Sequence, residues 1–421
     1  MNRTARLIMI SAAAAAMTVS AQNVQTPYSM YGYGILSDHA TSMQRQMGSV
    51  GVAMNSGRQV NVMNPAAYAA TDSLTFLFDM GADMSVIWSK EGSAKETAFG
   101  GGLDYMTCQF PIGKHFGGSL GLLPVTSVGY AFGNEIAHGT VQNQGTGGIS
   151  ELYLGLAAQY FGLSLGFNIS YDFGTIANDV FSTPTGMTNT KFEHLMEIRD
   201  WNILLGAQYT FKPSRFSKVV LGLTYQPKKT FLGKTRATSM MQTSQDTKPD
   251  TVASMSMKGN YYQPNSIGAG VSYTYEKATR WTVEADFMWQ GWKDCKYAPL
   301  YSLKDPETIV FEGMSFNDRW RAALGAEIVP KIRGNYGERM SYRLGAYYCN
   351  DYLKIRSNSV REYGVTCGFG FPVPEGKTMI NLGLEWKHRE ASPQQLLSEN
   401  YLNVTLGINF NEVWFFKRKI K

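Results

Sequence analysis

The sequence predicts an all-β fold, an antiparallel transmembrane β-barrel of about fourteen strands whose lumen is plugged by an N-terminal hatch. Three observations carry that expectation. Aromatic residues make up 13% of the 421 residues and charged residues only 17%, against roughly 25% charged in an average soluble protein. Mean hydropathy is nevertheless −0.21, and no apolar run reaches the about 20 residues that a transmembrane helix needs. Long segments also alternate apolar and polar residues with period two, as strands with one apolar and one polar face do.

The elements follow in chain order. Residues 1–21 read as a cleaved secretory signal: Arg3 and Arg6 precede the apolar stretch Leu7 to Met17, and Val19-Ser20-Ala21 supplies small residues for cleavage. The first cysteine is Cys108, so none directly follows the signal to carry a lipid anchor. Cys108, Cys295, Cys349 and Cys367 lack metal-ligand spacing and read as lone apolar-face residues. Net charge is a mild +6, too dispersed for a nucleic-acid partner.

Residues 22–73 do not alternate. They carry Tyr28, Tyr31 and Tyr33, five glycines and the run Asn61 to Tyr68, too rich in Tyr, Met and Gly for a solvated linker. A compact plug in the lumen fits better than a free tail.

The barrel is expected over 74–410. Its most informative segment is Leu163 to Phe173, where Leu163, Leu165, Phe167, Ile169, Tyr171 and Phe173 alternate with small or polar residues. Its length matches the about 9–11 residues of a tilted transmembrane strand. Leu74 to Trp88, Trp281 to Trp289 and Leu402 to Phe410 repeat the pattern. Strands are expected near 74–88, 98–112, 116–132, 150–161, 163–173, 200–212, 218–227, 252–275 (kinked at Pro264), 281–291, 316–329, 340–350, 361–373, 378–389 and 400–410. The count is even, and longer connections alternate with generally shorter ones, as outer loops and periplasmic turns do. The setting is therefore the outer membrane of a Gram-negative bacterium, with membrane lipid as a partner.

Gln46-Met47-Gly48-Ser49-Val50-Gly51-Val52-Ala53, followed by Asn64-Pro65-Ala66, resembles the hatch signature of the FadL family of outer-membrane transporters for long-chain fatty acids and other hydrophobic compounds. Gln263-Pro264, Trp281 to Asp286 with Trp292, and Tyr342-Arg343-Leu344-Gly345 resemble later strands of that family. The resemblance implies fourteen strands, an N-terminal hatch and a lateral opening where the third strand kinks inward. It implies a transporter that captures a hydrophobic, fatty acid-like small molecule at the outer loops and releases it sideways through the wall, without bond chemistry or a cofactor.

In the third strand Gly117, Gly118, Gly121 and Pro124 mark either that opening or a tolerated irregularity, since Pro removes a ladder hydrogen bond and Gly weakens a strand. Val50, Val52, Met54, Val60, Met63, Asn64, Pro65 and Tyr68 are candidate ligand lining, with plug packing as their simpler role. Arg321, Arg343, Lys387, Glu284 and Asp286 fall on inward faces. They could form a buried network holding hatch to wall, or one Arg could take a fatty carboxylate. The five histidines fit no triad, no residues have metal-ligand spacing, and no catalytic residue is expected. Residues 411–421 form an aromatic and basic tail, an anchor at the inner interface or a docking handle for an outer-membrane partner protein. The rival to transport is a non-transporting barrel of the same fold, a structural subunit of an outer-membrane secretion or assembly complex.

Overall fold

The computed structural model describes residues 26–136, 139–185, 188–242, 250–295, 300–305, 308–312, 314–373 and 377–413. The expected signal at 1–21 and the tail residues Trp414, Phe415 and Phe416 lie outside the described residues. Asn411, Glu412 and Val413, assigned above to the tail, instead complete the last strand.

Fourteen antiparallel strands form the wall. They are Thr75–Glu91, Ala94–Pro111, Phe116–Ile136, Gly139–Tyr160, Leu163–Pro184 and Asn189–Ser214, then Ser217–Gln226 continuing as Lys229–Gln242, and Asp250–Gln263 continuing as Ser266–Glu276. Arg280–Gln290, Arg319–Val329, Ser341–Ile355, Asn358–Pro372, Met379–Ser392 and Ser398–Val413 complete them. The last pairs with the first from Ser398↔Lys90 to Val413↔Thr75, which closes the sheet into a ring.

Alternation becomes geometry in the fifth strand. Leu163, Leu165, Phe167 and Ile169 are exposed, whereas Ser164, Asn168, Ser170 and Asp172 are buried. Such an inside-out strand suits a membrane, where lipid replaces the core that a soluble strand would pack against. The seventh and eighth strands are each interrupted, at Pro227 and at Pro264. Proline lacks the amide that the ladder needs, so each strand bends there and resumes.

One expectation needs correction. Residues 133–149, 174–199 and 228–251 were expected as loops, but most of their described residues are strand, because the outer hairpins continue past the membrane. These extensions are built from polar residues such as Gln142, Asn143 and Gln144. With no lipid outside them, they lack the apolar alternation that marks the membrane-spanning parts.

Candidate functional site

The N-terminal segment lies inside the ring. One inward-facing glycine from each of twelve strands, all but the second and ninth, meets it: Gly81, Gly117, Gly155, Gly166, Gly206, Gly222, Gly270, Gly325, Gly345, Gly368, Gly383 and Gly407. A Cβ on any of these would press on Ser42, Gln46, Met47, Gly48, Val52, Asn64, Pro65 or Tyr68. The wall is pared to bare backbone where the segment rests on it.

Hydrogen bonds then fix the segment. The Asp286 carboxylate accepts from the amides of Gly51 (2.7 Å) and Val52 (2.9 Å), and Glu284 accepts from Ala53 (3.0 Å). Arg321 donates to the carbonyls of Gly48 (2.9 Å) and Ser49 (3.3 Å) and stacks on Tyr347. Arg343 donates to Glu327, to Gln46 Oε1 and to Asn381, each at 2.7 Å. Asn64 caps the short helix Pro65–Ala70 and donates to Val52 O (2.7 Å). Arg321, Arg343, Glu284 and Asp286 thus hold the N-terminal segment to the wall. Lys387 does not: it pairs with Glu362 (3.8 Å) over the Tyr401 ring.

The candidate lining residues pack at the boundary between segment and wall. Val52, Val60, Met63 and Tyr68 pack with Leu77, Tyr105, Leu123 and Tyr153, while Val50 and Met54 pack with Ala323 and Tyr347. None of the eight hatch residues from Val50 to Tyr68 borders the cavity above the segment. Their sequence pattern was apolar because they fill the hatch–wall boundary.

That cavity, about 520 Å³, is lined by Asp38, Arg45, Asp83, Asp104, Arg319, Asp351, Glu362, Glu385, Lys387 and Arg389. Most of these charges are paired. Arg319 (3.0 Å) and Arg321 (3.3 Å) grip Asp38, Arg45 meets Asp104 at 2.6 Å, and Arg389 holds Glu362 at 2.5 Å. Burial opposes ionisation of Asp38, but Arg321 and then Arg319 outweigh it and hold its carboxyl well below the usual carboxylate range. Inward parity on the strands could have found Glu362 and Arg389; nothing local marks Asp38.

His39 pairs with Glu151 at 3.0 Å. Burial works against its charge, yet the Glu151 carboxylate prevails and raises its pKa above the ordinary 6.5. A raised folded pKa means the contact contributes fully below that ordinary value and is lost as pH rises through the folded one. Hydrogen exchange of residues 37–40 is therefore expected to quicken from pH 6 to pH 9 beyond its intrinsic rise, with the excess absent in His39→Gln. An equal excess in both proteins would refute the assignment.

The outer mouth is also filled. Tyr33 of the N-terminal segment packs on Trp292 (5.8 Å) and Phe316 (6.4 Å), and Trp292 on Tyr352 (4.6 Å). Tyr352 OH donates to Gly34 O (2.6 Å).

A seam in the wall lies beside this cavity. The second and third strands pair only from Met106↔Leu122 to Pro111↔Gly117. Above that point the third strand leaves its neighbour, with a register shift against the fourth strand between Pro124 and Thr126. Its freed edge is taken up by the N-terminal segment: Ile35 pairs with Ser127 and Leu36 with Thr126, Ser37 N donates to Val125 O (2.9 Å), and Thr26 N to Gly129 O (2.7 Å). Pro124 stands at this fork. Gly117, Gly118 and Gly121 lie below it, in the paired half, where Gly117 meets Tyr68 and Gly121 meets Thr107.

A closed barrel with an apolar belt, an inserted N-terminal segment and a parted third strand makes this chain a FadL-type barrel in fold. Solved structures are similar to it in fold: the Pseudomonas putida toluene transporter TodX (15% identity, TM-score 0.59, 90% of this chain and 99% of that one), the Ralstonia pickettii toluene transporter TbuX (12%, 0.57, 89% and 98%) and a Pseudomonas aeruginosa FadL homologue (11%, 0.60, 90% and 99%). No curated protein matches the sequence. The chain belongs to the BamG family, whose family model matches residues 1–421.

Proposed function

We propose that this protein is a non-transporting FadL-type barrel, a structural subunit of an outer-membrane assembly complex, exported by a cleaved signal peptide. One observation carries the reading: the lumen is filled at both ends, and what lies between is charged. Residues 42–68 rest on twelve strands below, the Tyr33–Trp292–Tyr352 cluster closes the mouth above, and ten charged side chains line the space between. A hydrocarbon entering there would strip water from these charges, while Leu36, Leu103, Met106, Leu122 and Leu123 would offer it apolar contact. The BamG family name supports the same reading, since it points to an outer-membrane complex.

The seam beside Pro124 favours a second reading, lateral exchange of a fatty acid-like molecule between cavity and bilayer. In that reading Arg389 or Lys387, both bordering the cavity, would meet the headgroup. The toluene transporters of like fold lend it support.

Affinity purification from native outer membranes separates the two. The subunit reading expects a stoichiometric protein partner and no bound amphiphile. A solitary barrel carrying about one equivalent of fatty acid or hydrocarbon would overturn it in favour of transport.

A further inference from the structure

The second strand pairs with the first from Glu91↔Ala94 to Leu77↔Gln109, with one irregularity that leaves out Asp104. On its other side pairing begins only at Met106. Among the described residues, the backbone of Ala94 to Tyr105 has no hydrogen-bond partner on that side. Much of this open edge lies at membrane depth. Phe99 stands opposite Val86, Gly101 opposite Met84, and Leu103 opposite Ala82, within the lipid-facing row of the first strand. Lipid chains cannot satisfy unpaired amides and carbonyls, which persist at membrane depth only where they border a polar cavity, as Gly101 to Tyr105 do here, or gain a protein partner.

We infer that this edge, Phe99 to Tyr105, is a docking edge for an extended segment of a partner polypeptide, which completes the wall by strand addition. The inference rests on the subunit reading and names the place of contact. Two features favour a strand over other occupants. The opposite edge of the same gap, on the third strand, is already satisfied in this manner by Ile35 and Leu36. Gly100, Gly101 and Gly102 leave three consecutive residues without side chains, so another backbone can approach closely. Main-chain bonds would hold the segment, and Phe99 and Leu103 on the lipid side of the edge would offer contacts to alternate side chains.

Amide hydrogen exchange compares the complex purified from native outer membranes with the isolated full-length barrel in vesicles of outer-membrane lipid. Seam-facing amides between Phe99 and Tyr105 are expected to exchange about 100-fold more slowly in the complex. Equal exchange in the two states overturns the inference, whether both are fast because the seam is empty or both slow because the barrel alone closes it. Adjacent proline substitutions, Phe99→Pro and Gly100→Pro, supply the second arm. In an antiparallel ladder neighbouring residues direct their amides to opposite sides. One substitution is expected to break the bond to the first strand and disturb folding. The other is expected to leave a folded, heat-modifiable barrel that recovers the partner at least about tenfold less well. Full recovery by that folded variant would leave the subunit reading standing and reject this edge, as would protection traced to a second copy of this chain. No partner in the unsubstituted protein would remove both.

Discussion

Arg343→Leu will destabilise the folded barrel by about 3 kcal/mol, the low end of what breaking a buried ion pair costs. The Arg343 side chain is fully buried and satisfies Glu327, Gln46 and Asn381 at once. Removing it leaves the buried Glu327 carboxylate with one partner fewer and frees the Gln46 side chain of the N-terminal segment. Glu327 keeps a second partner, Arg280 at 3.1 Å, which is why the loss falls at the low end. The double variant Arg343→Leu/Glu327→Leu should recover much of the stability, because an apolar pair carries no orphaned charge. Urea unfolding in lipid vesicles measures both. If the single variant unfolds with the wild-type protein, Arg343 does not anchor the hatch. If the double variant is weaker than the single one, the orphaned carboxylate is not the cause.

The fold was legible in the sequence because a membrane imposes one rule on every spanning strand. Leu163 to Phe173 alternates without a break since each of its residues meets either lipid or lumen. The rule stops where lipid stops, which is why the hairpin around Gly139 read as loop although it is strand. Pro124 was readable as a break, because the ring removes an amide whatever surrounds it. Its neighbours were not. A glycine can mark weak pairing or close approach, and only the position of Tyr68 shows that Gly117 belongs to the second case. The hatch residues were ambiguous for a related reason. Val52 and Met63 are apolar, and an apolar residue beside a lumen can line a pocket or pack against a wall with the same composition. The cavity charges were hardest to assemble. Asp38 and Arg319 meet across 281 positions of sequence, and no local pattern announces that pairing.

The glycine belt yields the other large effect. Gly345 faces the peptide joining Met47 to Gly48, and a Cβ placed there would overlap Gly48 N and Met47 C. Both are backbone atoms in a segment already fixed by Arg321 at Gly48 O and by Thr366, whose hydroxyl accepts from Gly48 N at 2.9 Å. No flexible side chain can yield, so Gly345→Val must push the segment itself inward. Overpacking a rigid site costs about 1–3 kcal/mol and occasionally more. The upper part of that range applies, because retreat of Met47 and Val50 also opens their packing with Ala323 and Tyr347. Leu344→Val, one residue away but 59% exposed toward lipid, is the matched control and should be nearly silent. Limited proteolysis of the refolded barrels reads the difference. Gly345→Val should be cut within residues 26–73 under conditions where the wild-type protein and Leu344→Val resist, while its strands stay intact. Resistance equal to wild type would mean that the segment accommodates a valine at one of its close backbone contacts. A hatch that yields so easily could also yield to a passing solute, and the case against transport through this barrel would lose its main support.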